Sequence, residues 1–136
     1  NMDLTNFIAV SGMPGLFRMV GNRPNGLFIE EIDTGKRKFA PTRKHQFTPL
    51  ESISLFTFED ATELTKVFQS MIDQMEDNPV PAPNVSSAVL REYFLDILPD
   101  HDPDRVHPSD IKKVIKWFNF LNERDLLTTQ ASDEEE

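Results

Sequence analysis

The chain has 136 residues, 38% of them hydrophobic and 27% charged, with a net charge of −9. That length holds one domain or two small ones and excludes a doubly wound nucleotide enzyme with a separate substrate domain, while the composition suits a folded protein rather than a disordered one. The lack of cysteine excludes disulfide frameworks, thiolate zinc sites and cysteine nucleophiles and is compatible with a reducing compartment; with the absence of a leader pattern or spanning stretch noted below, a cytoplasmic protein is the expectation.

In chain order, Asn1–Thr5 shows no basic or apolar leader pattern, so no secretory signal is expected and Met2 reads as the natural start. The uncharged run Leu4–Phe17 is broken by Gly12, Pro14 and Gly15 and is too short to span a bilayer, so no membrane association is expected. Phe7–Val10, Leu16–Val20, Leu27–Ile32 and Lys36–Ala40 read as short strands separated by turn signals. Asn25-Gly26 favours a primed hairpin turn, and Asp33-Thr34-Gly35 marks a second hairpin. Ser52–Phe58 alternates polar and apolar residues through Leu55 and reads as a fifth strand, with Phe56 and Phe58 on a face that the following helices should cover. Five short strands are too few for a sandwich, and a small closed barrel removes their edges.

The period then changes. Asp60 and Glu63 have capping-box spacing, and Leu64, Val67, Phe68, Met71, Ile72 and Met75 form one helical stripe over about 60–76. Pro79, Pro81 and Pro83 sit in an extended linker at 77–85. A second helix over about 86–98 carries Leu90, Tyr93, Phe94, Ile97 and Leu98, and Pro99 ends it. A third, over about 108–122, begins with Pro108 at its first position and carries Ile111, Val114, Ile115, Phe118 and Leu121. The tail 128–136 ends in four acids and should be disordered.

Asp100-His101-Asp102-Pro103-Asp104 opens like a calcium loop, but Arg105 stands where glycine is needed and Ile111 where a bidentate glutamate is needed. These aspartates are therefore read as turn and cap residues. His45, His101 and His107 show no metal-ligand spacing; they read as loop histidines, with His107 at an N-cap. Gly12-Met13-Pro14-Gly15 has the bare form of an RNA-clamping loop but lies between strands rather than helices. No motif for acyl transfer or nucleotide chemistry appears, so no enzymatic activity and no cofactor is expected.

Charge is unevenly placed. Residues 1–50 hold seven bases and four acids, net +3; residues 51–136 hold seven bases and nineteen acids, net −12. The basic residues Lys36, Arg37, Lys38, Arg43 and Lys44 interleave with Phe17, Phe28, Phe39 and Phe47, the ingredients of a phosphate-neutralising, base-stacking face. The plainer reading makes these lysines the solvated side chains of an edge strand.

Three segments together are familiar: Ile8-Ala9-Val10-Ser11-Gly12-Met13-Pro14-Gly15-Leu16-Phe17, the turn Asp33-Thr34-Gly35-Lys36-Arg37, and Ser109-Asp110-Ile111-Lys112-Lys113-Val114-Ile115-Lys116-Trp117-Phe118. They resemble a family of short bacterial proteins catalogued as a domain of unknown function, with an SH3-like β part and a helical part. The resemblance runs from Met2 to about Leu127; it implies the fold and no activity, cofactor or functional residue. The expectation is an α+β protein, an SH3-like antiparallel barrel at 2–58 followed by a three-helix part at 59–127. Its expected role is a non-enzymatic binding or scaffolding protein with a protein partner. The alternative is a nucleic-acid or ribosome-associated module using the basic strands.

Overall fold

The computed structural model describes residues 2–127, so the acidic tail expected at 128–136 lies outside the described residues. The chain is α+β and divides into two units. One is Leu4–Ile53; the other takes in, of the described residues, 2–3 and 54–127.

The first unit is one antiparallel sheet of β1 (Phe7–Val10), β2 (Phe17–Arg23), β3 (Gly26–Glu31), β4 (Arg37–Pro41) and β5 (Phe47–Pro49), in the order β4-β3-β2-β1-β5. Its buried face gathers Ile8, Val10, Phe17, Ile29 and Ala40, with Met13, Leu27 and Phe47 packed against them. These come from alternate strand positions, as a strand period of two requires. Burying each large side chain contributes about 1.5–3 kcal/mol. The β2–β3 loop is Pro24-Asn25, not Asn25-Gly26, because Gly26 already pairs with Arg23. Gly26 serves space rather than turn geometry: a Cβ there would collide with the Ala40 carbonyl. Gly35, at φ +75°, does supply the left-handed residue of the β3–β4 turn.

The expected closed barrel is not formed: among the described residues the pairing ends at β4 on one side and β5 on the other. The reason lies in Leu50–Ser52, which wind into a 3-10 turn closed by the Ile53 amide on the Leu50 carbonyl at 3.1 Å. Beyond it, Ser54–Phe56 is lost to the second unit, so the strand expected over Ser52–Phe58 does not join this sheet. The fifth strand is Phe47–Pro49 on β1, unread in the sequence because it is three residues long and ends in a proline that cannot donate to a ladder.

The second unit opens with a hairpin of β6 (Ser54–Phe56) and β7 (Ala61–Glu63) and continues into α1 (Leu64–Asp73), α2 (Ser87–Ile97) and α3 (Pro108–Glu123). Residues 61–63, expected as helix, are strand, and Asp60 closes the hairpin turn instead of capping: its amide donates to Thr57 Oγ1 at 3.0 Å, and Glu63 occupies the N-cap position of α1 without a side-chain bond. The stripes of α2 and α3 are buried as their spacing predicts, and that of α1 is buried through Met71. Phe68 of α1 meets Phe118 of α3 edge-on, with ring centroids 5.6 Å apart. Ser70 and Gln74 donate to the Ile97 and Asp96 carbonyls at 3.0 and 2.9 Å, satisfying acceptors that the end of α2 leaves open. His107 does hold the N-cap of α3, and its amide donates to the Asp110 carboxylate at 2.9 Å. Among the described residues, no helix is long and apolar enough to cross a membrane.

Candidate binding surface

The five basic residues singled out in the sequence are not brought onto one face. Lys36 precedes β4, while Arg43 and Lys44 follow it in a turn where the Lys44 and His45 amides donate to the Pro41 carbonyl. Arg37 and Lys38 are neighbours on a strand and so project to opposite faces. Arg37 lies opposite Glu30 and pairs with it at 2.8 Å. Lys38 lies opposite buried Ile29; its ammonium is 5.6 Å from the Phe17 ring centroid and 3.9 Å from Glu31. The lysine stem thus covers the rim of the core while its head stays in solvent. The interleaved aromatics divide likewise. Phe17 is buried, Phe47 packs on the core, and Phe28 and Phe39 meet on the outer face at 5.2 Å with the Arg23 guanidinium over Phe28.

The loop with alternating aspartates is a structural turn that extends the β6 hairpin. The Phe58 amide donates to the Asp100 carbonyl at 3.1 Å and the Asp102 amide to the Phe56 carbonyl at 2.9 Å. The Asp102 carboxylate accepts from the Asp104 amide at 2.9 Å and from Arg105 Nε at 3.0 Å. The Asp104 amide, helped by the Arg105 guanidinium, holds the Asp102 carboxyl below the usual carboxylate range. His101, expected as a solvated loop residue, is buried at 3% exposure: its Nδ1 is 2.7 Å from the Leu98 carbonyl, and its ring meets Phe94 edge-on at 5.0 Å. Because a carbonyl only accepts, Nδ1 carries the proton. His45 Nδ1 lies 2.8 Å from the Ser11 carbonyl and joins two loops of the sheet unit.

This framework holds an aromatic surface that the sequence reading expected to be covered. Leu55 and Thr57 are buried, whereas Phe56 is 45% and Phe58 65% exposed. The Arg105 guanidinium lies 4.4 Å from the Phe56 ring centroid, and its Nη2 donates to the Thr57 carbonyl at 3.3 Å. The backbone of both exposed phenylalanines is thereby held by pairing with residues 100 and 102, and the stacked arginine by the Asp102 carboxylate. The alternation through Ser52–Phe58 does put Phe56 and Phe58 on the same side, but it carries no information about what lies over them.

Residues 53–121 match the family described as a domain of unknown function, DUF6852, and residues 4–50 match a second domain of unknown function, DUF5606. The two matches meet where the chain divides into its units. A solution NMR structure of a protein from Bacteroides vulgatus is similar to the chain at 28% identity with a TM-score of 0.74, covering 93% of this chain and 90% of that one. No functionally curated protein matches.

Proposed function

The chain belongs to the DUF6852 family, a domain of unknown function, and on that premise we propose that it is a non-catalytic protein-binding module whose contact surface is Phe56, Phe58 and Arg105. The observation that carries this reading is Phe58, 65% exposed on a hairpin whose backbone is bonded on both sides. An exposed aromatic on a bonded backbone, close in sequence to the Phe56 ring on which Arg105 stacks, has the composition of an interface anchor, because it removes much apolar area from water with few rotatable bonds to freeze. The fitting partner is a protein with an apolar recess. The setting is cytoplasmic, supported by the absence of cysteine. The sheet unit is SH3-like in this reading: the last strand returns to pair with the first, as a small barrel does short of closure.

A photo-crosslinking residue at position 58 should yield a discrete protein adduct in cells. With that partner purified, Phe58→Ser should weaken binding about tenfold or more while leaving the melt unchanged. Adducts to nucleic acid, or an affinity unmoved by Phe58→Ser, would sink the reading. The nucleic-acid alternative draws less support, since Arg37 and Lys38 face opposite ways and each stands beside a glutamate.

A further inference from the structure

Phe56 and Phe58 stand in an acidic setting. Residues 56–60 and 100–105 carry five acids, Glu59, Asp60, Asp100, Asp102 and Asp104, against one base, Arg105. The two segments are held together by the Phe58 amide on the Asp100 carbonyl and the Asp102 amide on the Phe56 carbonyl. Asp102 and Arg105 offset each other, with Nε 3.0 Å from the carboxylate. The other four acids are exposed, and among the described residues none of their carboxylates pairs with a base. Asp60 and Asp104 hold their turns through main-chain amides, on Thr57 Oγ1 and the Asp102 carboxylate, which leaves their own carboxylates to solvent. Glu59 and Asp60 directly follow Phe58, and Asp100 and Asp104 lie on the loop bonded to the hairpin, so uncompensated charge stands on both sides of the exposed rings.

We propose that the partner of this surface is a protein whose apolar recess is rimmed by lysines or arginines. The inference rests on the reading of Phe56 and Phe58 as a contact surface, and charge decides among the occupants such a surface could take. A second copy of the chain docking through the same patch would set four uncompensated carboxylates against the same four. Nucleic acid and bilayers rich in anionic lipid would be repelled. A basic rim instead meets the four carboxylates at the polar border of the contact, while the two rings fill its apolar centre. Complementary charge placed in this way speeds encounter and rejects wrong partners.

The probe is a blocked amphipathic helix of about 18 residues, a leucine stripe flanked by lysines, titrated into isotope-labelled full-length protein and followed by amide chemical shifts. Its control carries glutamate in place of every lysine. The lysine helix should give saturable shifts, largest at residues 56–60 and 100–105, and the glutamate helix none. The combined variant Glu59→Gln, Asp60→Asn, Asp100→Asn, Asp104→Asn should weaken the lysine helix about tenfold without lowering the Tm. Raising the salt from about 0.05 to 0.5 M should weaken binding to the parent far more than to this variant. Phe58→Ser separates the two readings. If it weakens the lysine helix while the combined variant binds like the parent, the charge selection falls and the aromatic surface stands. If the combined variant weakens it and Phe58→Ser does not, the aromatic reading falls and this proposal with it. Equal binding of the glutamate helix, no saturable shifts, or shifts centred elsewhere would also overturn the proposal.

Discussion

Phe118 and Phe58 are the same side chain under opposite conditions within one unit. Phe118 is 1% exposed and packs edge-on against Phe68, while Phe58 is 65% exposed at a hairpin turn. Both occupy positions that local periodicity marks as apolar. The difference comes from their surroundings: α3 faces two other helices, whereas Phe58, two residues past the end of β6, is left largely uncovered by the described residues. Apolar patterning therefore tells which face a residue takes. Whether that face is buried depends on the other elements.

The comparison is broken most directly by truncating each ring. Phe118→Ala should cost about 3–5 kcal/mol, because the cavity it leaves is lined by elements that cannot all collapse. Thermal or urea melts that show no loss would contradict the packed-core position. His101→Ala comes next, at about 2–3 kcal/mol, since it removes both the bond to the Leu98 carbonyl and the ring contact with Phe94. At the other extreme, Phe58→Ser should stay within about 0.5 kcal/mol of the parent. A large loss there would show the ring to be covered, and the binding surface proposed for it would go with it.

Asp102 tests the loop that supports Phe56. Its folded pKa is lowered, so its contribution to stability is present above the ordinary carboxylate value of 3.8 and is lost as pH falls through the lower folded value. Asp102→Asn should therefore flatten the acid side of the stability profile and leave little pH dependence from this site below about pH 4. The same variant addresses the calcium motif. Millimolar calcium should shift the Tm of the parent no more than an ionic-strength control does, because the carboxylate is already engaged by Asp104 and Arg105.

The helices were legible because a 3.6-residue stripe is self-contained: Ile111, Val114, Ile115, Phe118 and Leu121 declare α3 without reference to any other segment. Strand existence was legible for the same reason, strand partnership was not. Ser54–Phe56 reads as a strand, yet its pairing with Ala61–Glu63 depends on a turn in which Thr57 and Asp60 bond each other. β5 is hidden because Phe47-Thr48-Pro49 is too short to show a period. At the candidate sites, Phe56 and Phe58 could be placed on one side of a strand. The burial of His101 rests on a bridge to Thr57, so it has no local signature.

The smallest effect is expected at the basic strand, where the sequence looked most like a nucleic-acid face. Lys36 and the Arg43–Lys44 pair stand at opposite ends of β4, whose five residues span about 16 Å. Between them Arg37 and Lys38 point to opposite faces, beside Glu30 and Glu31. A single strand following one face meets about three cations, so any binding should weaken with a logarithmic salt slope near −2, at about −0.7 for each phosphate neutralised. Three partly neutralised contacts, opposed by the net −12 of residues 51–136, do not hold a strand at physiological ionic strength. The expected result is no measurable binding of single-stranded nucleic acid near 0.15 M salt. The triple variant Lys36→Ser, Arg37→Ser, Lys38→Ser should keep the parent's fold, because these side chains lie on an exposed edge. Micromolar binding by the parent, lost in the triple variant together with a flattened salt slope, would reverse the comparison and make the basic strand the functional surface.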